Sequence, residues 1–245
     1  MNFLLTNDDG VDAPGIATLA QVCEGLGRAV ILAPVEHLSG CSHQATTSRG
    51  LELKELAPNR YALDGAPVDC TRIGLYHAAP ETQWVLSGIN AGGNMGHDVY
   101  LSGTVAAARE ACLLGKPAIA FSQYIQRRPV DWDMAGRWTR HVLEMLLERP
   151  PAPGTFWNVN LPQPGEVASA VPDCVFCDID PHPLPLNYEL EDGRLHYRAR
   201  YRDRMQAAGR DVALCFAGHI TISQIGLHSI PPQYLGDTGR ADAEA

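Results

Sequence analysis

Residues 3–15 near the start of the chain, FLLTNDDGVDAPG, carry the strongest signal for the fold. The first four of them, residues 3–6, are mostly apolar and predict a short buried strand. A turn with two adjacent carboxylates, Asp8 and Asp9, follows, and Pro14 stands where a helix accepts proline, in its first turn. The stretch therefore predicts a strand that runs directly into a helix, which is the opening unit of an α/β protein.

The pair Asp8 and Asp9 is the first candidate for a functional site. Two neighbouring carboxylates repel each other, so a buried pair at a strand end is costly unless a cation lies between them. Hard carboxylate oxygens favour Mg²⁺, Mn²⁺ or Ca²⁺, and the ligands of open α/β sheets collect outside the carboxyl ends of the strands. The alternative interpretation is a solvated acidic turn, with Asp12 near the N-cap of the helix.

The first two thirds of the chain alternate between apolar runs of strand length and helical periodicities. Short apolar runs such as 29–33 (AVILA) are typical of parallel strands that are covered on both faces. The order predicts an α/β fold with a doubly wound, mostly parallel, Rossmann-like sheet, an inserted β-hairpin and a C-terminal extension. Predicted strands are 3–6, 29–33, 84–89, 118–121 and 156–161, the hairpin is 51–56 with 60–63, and predicted helices are 14–26, 67–78, 102–114 and 131–148.

Beyond Pro162 the pattern loosens, because prolines cluster and basic residues recur. We expect residues 1–163 to form the α/β catalytic core and residues 164–245 to form a C-terminal extension rather than an independent domain. Residues 212–225 regain an apolar face that must be buried, and such an extension commonly packs on a neighbouring subunit. The extension is therefore expected to be involved in oligomerisation.

Composition and charge limit the classes of protein that fit. At 245 residues and 45% hydrophobic, the chain is long enough to bury a sizeable core. No apolar run approaches the roughly 20 residues of a membrane span, and the N-terminus lacks the layout of a signal peptide. A formal net charge of −9 argues against binding of duplex nucleic acid. We expect a cytoplasmic protein that contacts neither a membrane nor duplex nucleic acid.

The seven cysteines, an odd number in a chain of this length, are expected to be reduced thiols rather than a disulfide framework. Only Cys174 and Cys177 have metal-like spacing, and acidic residues and a histidine follow them. A tetrahedral zinc site would need a second cysteine or histidine pair nearby, and the sequence has none there. Zinc at this segment is therefore the weaker alternative to a metal at the N-terminal acid pair.

Two further loops fall where a site at the edge of the sheet would need them. After the second predicted strand, Ser39 lies in a turn that can present a hydroxyl group. After the third, the glycine-rich stretch 87–96 carries two carboxamides, Asn90 and Asn94. It leads to a helix start at 102–104 that lacks a capping-box carboxylate, so its N–H groups are expected to be free for an anion such as phosphate.

Six motifs occur in order along the first two thirds of the chain. They are NDDGVDAPGI (7–16), SG (39–40), GAPVDC (65–70), SGINAGGNMG (87–96), SGTVAAA (102–108) and NVNLP (158–162). Together they resemble the SurE survival-protein family, whose members are metal-dependent nucleoside-monophosphate phosphatases. Carried over residue by residue, the resemblance implies a divalent metal, Mg²⁺ or Mn²⁺, on Asp8, Asp9, Ser39 and Asn90, with both acids catalytic and with phosphate on Asn94, Ser102, Gly103 and Thr104.

The chemistry of these residue types agrees with the resemblance. A phosphate monoester dianion repels an attacking hydroxide, and a divalent cation neutralises that charge and lowers the pKa of a bound water. Expected substrates are nucleoside 5′-monophosphates, with 3′-monophosphates and short polyphosphate as further candidates. Whether Asp8 or Asp9 also acts as a base or a nucleophile stays open.

Two functions other than phosphate hydrolysis are alternatives for such a fold. A receiver-type signalling module would have a phosphoacceptor aspartate at the end of the third strand, where Asn90 stands. A non-catalytic metal- or nucleotide-binding module on the same fold stays the alternative, because a fold does not prove turnover. The resemblance also implies a homodimer or homotetramer that exchanges C-terminal segments.

Overall fold

The apolar run at the start of the chain forms β1 (Asn2–Thr6), and the proline at position 14 opens α1 (Pro14–Cys23), as predicted. The computed structural model describes residues 1–126, 129–163 and 170–227. Further strands in this part of the chain are β2 (Arg28–Pro34), β3 (Leu53–Ala57), β4 (Arg60–Leu63), β5 (Trp84–Asn90), β6 (Ala118–Gln123), β7 (Thr155–Leu161), β8 (Cys174–Phe176), β9 (Tyr188–Glu191), β10 (Arg194–Tyr197) and β11 (Ile220–Gly226). Further helices are α2 (Pro67–Ile73), α3 (Asp98–Leu101), α4 (Gly103–Leu113), α5 (Trp132–Leu147) and α6 (Asp211–Phe216).

Within the described residues, nine strands form one sheet in the order β3-β4-β2-β1-β5-β6-β7-β11-β8. The neighbours from β4 to β7 are all parallel, whereas β3 and β11 run antiparallel to β4 and β7. Helices α1 and α5 pack on one face of the sheet, and α2 and α4 pack on the other. This is the predicted doubly wound, mostly parallel α/β sheet.

The predicted hairpin is the edge of this sheet. Strand β4 pairs in parallel with β2, and β3 pairs antiparallel with β4. The turn between them contains Asn59, which has φ +62°. Asparagine is one of the few residues that adopt this left-handed conformation readily, so the turn matches its sequence.

Two predicted helices differ from the prediction, one in its length and one in its helix type. Helix α1 ends at Cys23 rather than at residue 26, because the chain turns at Gly25, which has φ +77°. Helix α2 is α-helical to Ile73 and continues as a π-helical turn over Gly74–Ala78. Neither difference moves a predicted site residue.

Strands β8 and β11 of the C-terminal extension join the main sheet of their own chain. Strand β11 pairs antiparallel with β7, and β8 pairs with the outer edge of β11. Val212, Ile220 and Ile222 are all buried by this arrangement. The prediction that this apolar face packs on a neighbouring subunit is therefore wrong for these three residues, because the chain returns beside β7 and covers them itself.

Strands β9 and β10 form a separate two-stranded hairpin. Its turn is Asp192 and Gly193, both with positive φ, as a tight two-residue turn requires. Cross-strand pairing places four apolar side chains on one face, since alternate residues of a strand point the same way. These exposed side chains are Tyr188, Leu190, Leu195 and Tyr197. In the part of the chain that the structure describes, no helix is both long and apolar enough to cross a membrane.

Replacing Ile222 by alanine should lower the free energy of unfolding by about 2–5 kcal/mol, because it removes a fully buried side chain from the core. Urea denaturation followed by circular dichroism measures this loss. Leu113→Ala is the matched control, since Leu113 is exposed and a surface change usually stays within about 0.5 kcal/mol. Equal losses for the two variants would contradict the placement of β11 in the core.

Candidate active site

The loop after β1 is shaped by Asn7, whose buried side chain bridges both polar groups of Gly10. Asn7 Nδ2 donates to the Gly10 carbonyl oxygen at 2.9 Å, and Asn7 Oδ1 accepts the Gly10 N–H at 3.2 Å. Gly10 has φ +104°, a conformation that glycine adopts without steric cost. These two bonds close a tight turn that places Asp8 and Asp9 at the carboxyl end of β1.

Asp8 is buried, with 4% of its surface exposed, and the start of α4 supplies its partners. The Thr104 hydroxyl donates to Asp8 Oδ1, and the Thr104 N–H bonds to the same carboxylate. Burial raises the pKa of the Asp8 carboxyl, the bond from the Thr104 hydroxyl opposes that rise, and the charge of Asp9 adds to it. The Asp8 carboxylate is therefore a costly buried anion that a cation would stabilise.

Gly103 allows this close approach between α4 and Asp8. A Cβ atom at position 103 would lie 2.6 Å from Cys41 Sγ and 2.9 Å from Asp8 Cβ. Both distances are shorter than van der Waals contact, so a larger residue would push Asp8 or the Cys41 loop away. The glycine of the SGT motif is thus explained by packing at the acid pair.

Asp9 is the more exposed of the two acids and lies at a cavity. Its Oδ2 accepts the Ala91 N–H at 3.0 Å, and its Oδ1 lies 3.2 Å from His37 Nδ1. A cavity of about 370 Å³ opens here, with His37 and Trp132 in its wall beside Asp9. Asp9 is therefore the carboxylate that a molecule in this cavity would meet.

Asn90 ends β5 at a bulge. Gly88 has φ +134°, and a Cβ atom there would lie 2.3 Å from the Phe121 carbonyl oxygen, so the position requires glycine. The register with β6 shifts between Ser87 and Asn90. Asn90 Nδ2 donates to the Gly92 carbonyl oxygen at 2.7 Å. No described residue donates to Asn90 Oδ1, so this oxygen is available to a cation.

The turn that carries Ser39 is tied to the acid loop and to the end of α3. The Leu38 N–H donates to the Asp8 carbonyl oxygen at 2.8 Å. On the far side of the turn, the Ser42 N–H donates to the Leu101 carbonyl oxygen at 3.0 Å. The exposed Ser39 hydroxyl is thus held in the same region as Asp8, at the carboxyl edge of the sheet.

Asn94 is buried, and its backbone and side chain are anchored by β6 and β7. Its N–H donates to Asn160 Oδ1 at 2.7 Å, and its carbonyl oxygen accepts from Asn158 Nδ2 at 2.9 Å and Asn160 Nδ2 at 3.1 Å. Its own Nδ2 donates to Ser122 Oγ at 2.8 Å. Sequence reasoning assigned no role to Asn158 and Asn160, although their spacing of two on a strand places both on one face.

The start of α4 differs from the prediction. Ser102 is the N-cap, and its Oγ accepts the Val105 N–H at 3.1 Å. The expectation that the first N–H groups are free for an external anion is wrong for Val105 and Thr104, because a serine hydroxyl caps the helix without a capping-box carboxylate and Asp8 takes the Thr104 N–H. The positive end of the α4 dipole therefore faces Asp8.

Sequence reasoning also missed a buried charged cluster beside the glycine-rich loop. Asp98, Arg204 and Asp211 are each at most 7% exposed. Arg204 donates to Asp98, and Asp211 accepts the Gly96 N–H in the loop before α3. The sequence carries no signal for it, because its members lie far apart along the chain. The described residues contain no group of three or more His, Cys, Asp or Glu placed to hold a metal ion, either at Cys174 and Cys177 or at the acid pair, so the zinc alternative stays a prediction.

The fold and the site define a doubly wound α/β protein with an acid pair and an amide-rich loop at the carboxyl edge of its sheet. The family model described as survival protein SurE matches residues 3–178. This chain belongs to the SurE family.

Known relatives agree with this assignment. A protein of Nostoc sp. (strain PCC 7120) is 47% identical over 228 residues, which cover 92% of this chain and 99% of that protein. The protein named 5′-nucleotidase SurE of Geobacter metallireducens is 40% identical over 163 residues, 66% of this chain and 65% of its own length. The crystal structure of the SurE protein from Aquifex aeolicus superposes with a TM-score of 0.86 at 27% identity, covering 97% of this chain and 98% of that one.

Replacing Gly103 by alanine should lower the free energy of unfolding by about 1–3 kcal/mol, because the added methyl overlaps Cys41 and Asp8. Alanine is otherwise the better helix former, so a loss of stability here reports the overlap. Thermal unfolding measures the change. Gly50→Ala is the control, since nothing lies within 4 Å of a Cβ at that glycine. A Gly103→Ala protein as stable as the parent would contradict the close approach.

Proposed function

We propose that this chain is a 5′-nucleotidase that hydrolyses nucleoside 5′-monophosphates to nucleosides and phosphate with the help of a divalent cation. The buried Asp8 carboxylate beside Asp9, with a cavity open at Asp9, is the observation that carries the proposal. The name 5′-nucleotidase SurE of several relatives supports it. Nucleoside 3′-monophosphates and short polyphosphate are further candidate substrates of the same site.

The donors at the site fit Mg²⁺ or Mn²⁺. Asp8 and Asp9 supply a formal charge of −2, and Asn90 Oδ1 and the Ser39 hydroxyl add neutral oxygens. Such an all-oxygen set suits hard cations rather than zinc. When bound, the cation would neutralise phosphate charge and lower the pKa of a bound water.

The two carboxylates have different surroundings and, we infer, different tasks. Asp8 is held by the hydroxyl and N–H of Thr104, which fixes its oxygens in place. Asp9 lines the cavity, so its carboxylate is the one that would contact an attacking water there and accept its proton. The structure thus favours a general-base task for Asp9 over one for Asp8.

The phosphate would accept hydrogen bonds from the side chains of Asn94 and Ser102. An amide nitrogen carries two hydrogens, and Asn94 Nδ2 uses one of them on Ser122 Oγ. The Ser102 hydroxyl accepts from Val105 and keeps its own hydrogen for a further acceptor. Fixed donors of this kind stabilise the charge that develops on phosphoryl oxygens as the P–O bond breaks.

The site has room for a nucleoside. A second cavity, of about 480 Å³, shares Val35 with the cavity at Asp9 and is lined by Leu38, Leu63 and Arg49, among others. Its volume lies within the roughly 300–1,000 Å³ that small-molecule sites occupy. Its lining mixes apolar side chains with polar and charged ones, and such a mixture suits a base and a ribose.

Replacing Asp9 by asparagine should lower kcat/KM for nucleoside 5′-monophosphates by about a hundredfold or more, because it removes both a metal ligand and the proposed base. Without metal, thermal stability should hold or rise, since the repulsion with Asp8 is relieved, while stabilisation by Mn²⁺ should shrink. Phosphate release and thermal unfolding, each with and without Mn²⁺, measure these effects.

Asp12→Asn is the matched control for this variant, because Asp12 is an exposed acid in the same loop that pairs with Arg60. Full turnover by the Asp9 variant at saturating Mg²⁺ would refute the assignment. A parent protein that binds Mn²⁺ and nucleotide without releasing phosphate would support the non-catalytic alternative. The substrate panel includes 3′-monophosphates and short polyphosphate.

We also propose that the chain assembles into a homodimer or a dimer-based tetramer through the exposed β9–β10 hairpin. A lone two-stranded hairpin is marginally stable in water, and this one leaves its apolar face uncovered within its own described chain. The opposite face is charged, with Arg198 bonded to Glu189 and Glu191. A second copy of the chain can cover such a face by a self-complementary contact.

Replacing Leu190 by glutamate should reduce the number of subunits in the assembly, because it buries a charge in the proposed contact. Multi-angle light scattering measures the mass. Leu113→Glu is the control, since Leu113 is an exposed leucine away from the hairpin. A monomeric parent protein, or a Leu190 variant of unchanged mass, would contradict the proposal.

A further inference from the structure

The glycine-rich loop that carries Asn94 is held from two opposite sides. On one side, Asn158 and Asn160 of β7 bond to the Asn94 backbone. On the other side, the next residues of the loop, from Met95 to Asp98, bond to the segment between β10 and β11. The second set of contacts consists mainly of buried charges, and the proposed reaction does not use them directly.

Arg204 provides the first contact from the C-terminal segment. It is 3% exposed, and its Nη1 donates to Asp98 Oδ2 at 2.7 Å while its Nη2 donates to the Met95 carbonyl oxygen at 3.1 Å. Asp98 Oδ2 also accepts the Tyr201 hydroxyl at 2.6 Å and the Met95 N–H at 3.2 Å. One guanidinium therefore fixes both the acid of the loop and the backbone next to Asn94.

Asp211 provides the second contact. It is fully buried, and its Oδ2 accepts the Gly96 N–H at 2.8 Å. Its Oδ1 accepts the N–H groups of Asp180 and Val212, at 2.7 and 2.8 Å. The packing is tight, since a Cβ atom at Gly96 would lie 3.0 Å from the Asp180 carbonyl oxygen.

We propose that Arg204 and Asp211 are positioning residues that set the phosphate affinity of the site by holding the Met95–Asp98 backbone, and with it Asn94. The proposal rests on the proposed function, in which Asn94 meets the phosphate. Both side chains contact loop backbone beside Asn94, and neither is among the residues bonded to Asp8 or Asp9. Their removal should therefore affect phosphate binding and spare the cation.

Four variants test this by removing different contacts of the C-terminal segment with the loop. Tyr201→Phe removes the hydroxyl that bonds to Asp98 Oδ2 and lies 3.4 Å from the Gly93 carbonyl oxygen, and it leaves every charge paired. Asp211→Asn keeps the shape of the side chain, but its Nδ2 cannot accept the Gly96 N–H while Oδ1 serves Asp180 and Val212. Arg204→Lys keeps the charge but cannot reach Asp98 and Met95 with a fork of two donors, and Arg204→Met removes the charge as well.

We expect KM for a nucleoside 5′-monophosphate and the inhibition constant of inorganic phosphate to rise together, by about tenfold in Asp211→Asn, since the loss of one hydrogen bond to a charged group has an effect of this order. Tyr201→Phe should show a smaller rise, and Arg204→Lys should recover part of the loss of Arg204→Met. The Mn²⁺ concentration for half-maximal activity should stay unchanged. Arg210→Met is the matched control, because Arg210 lies next to Asp211 but pairs with the exposed Asp178.

All constants are measured on protein shown to be folded by thermal unfolding, so that a loss of folded material is not read as a loss of affinity. Variants that fold and keep the parent KM and phosphate inhibition would overturn the proposal, as would an equal weakening of Mn²⁺. If the parent hydrolyses no nucleotide, the proposed function fails, and calorimetric binding of inorganic phosphate to the parent and to Asp211→Asn then decides the positioning role alone. Unchanged phosphate binding in that experiment would refute it.

Discussion

The carboxylate of Asp8 is buried at the end of the first strand, and several neighbouring groups of the site stabilise its negative charge. The N-terminus of α4 faces it with the N–H and hydroxyl of Thr104, and Gly103 lets the helix come close enough. The loop after β2 is tied to the same residue through the Leu38 N–H. Three elements, β1, α4 and the loop after β2, therefore meet at this negative charge. A cation beside Asp9 would neutralise it further.

The architecture and the acid pair could be predicted from sequence because their signals are local. The apolar run before Asp8, the short run at β2 and the amphipathic helix α5 each specify an element within a few residues of chain. A parallel sheet then brings strand ends to one edge, so Asp8, Asn90 and the turn of Ser39 had to lie in one region. The resemblance to the family indicated in addition that these residues belong to one site.

The rest depends on contacts between distant parts of the chain. Arg204 lies 106 residues from Asp98, and Asp211 lies 115 residues from Gly96. No periodicity links such positions, and a basic residue in an arginine-rich stretch is ordinarily solvated. The place of β11 was missed for the same reason, since an apolar face predicts burial but does not say against what. Similarly, the N-cap role of Ser102 was missed because only the capping-box pattern was sought there.

The antiparallel pairing of β11 with β7 also implies an order in which parts of the fold form during synthesis. A chain emerges from the ribosome N-terminus first, and the parallel strands up to β7 can pair as they appear. At that stage β7 is an open edge, and Arg204 and Asp211 are still to come, so the loop of Asn94 has only its β7 anchors. Strand β11 then pairs with the open edge of β7. Arg204 and Asp211 bond to the loop that follows Asn94. The candidate site would thus be complete only after residues 204–226 have followed the parallel strands out of the ribosome.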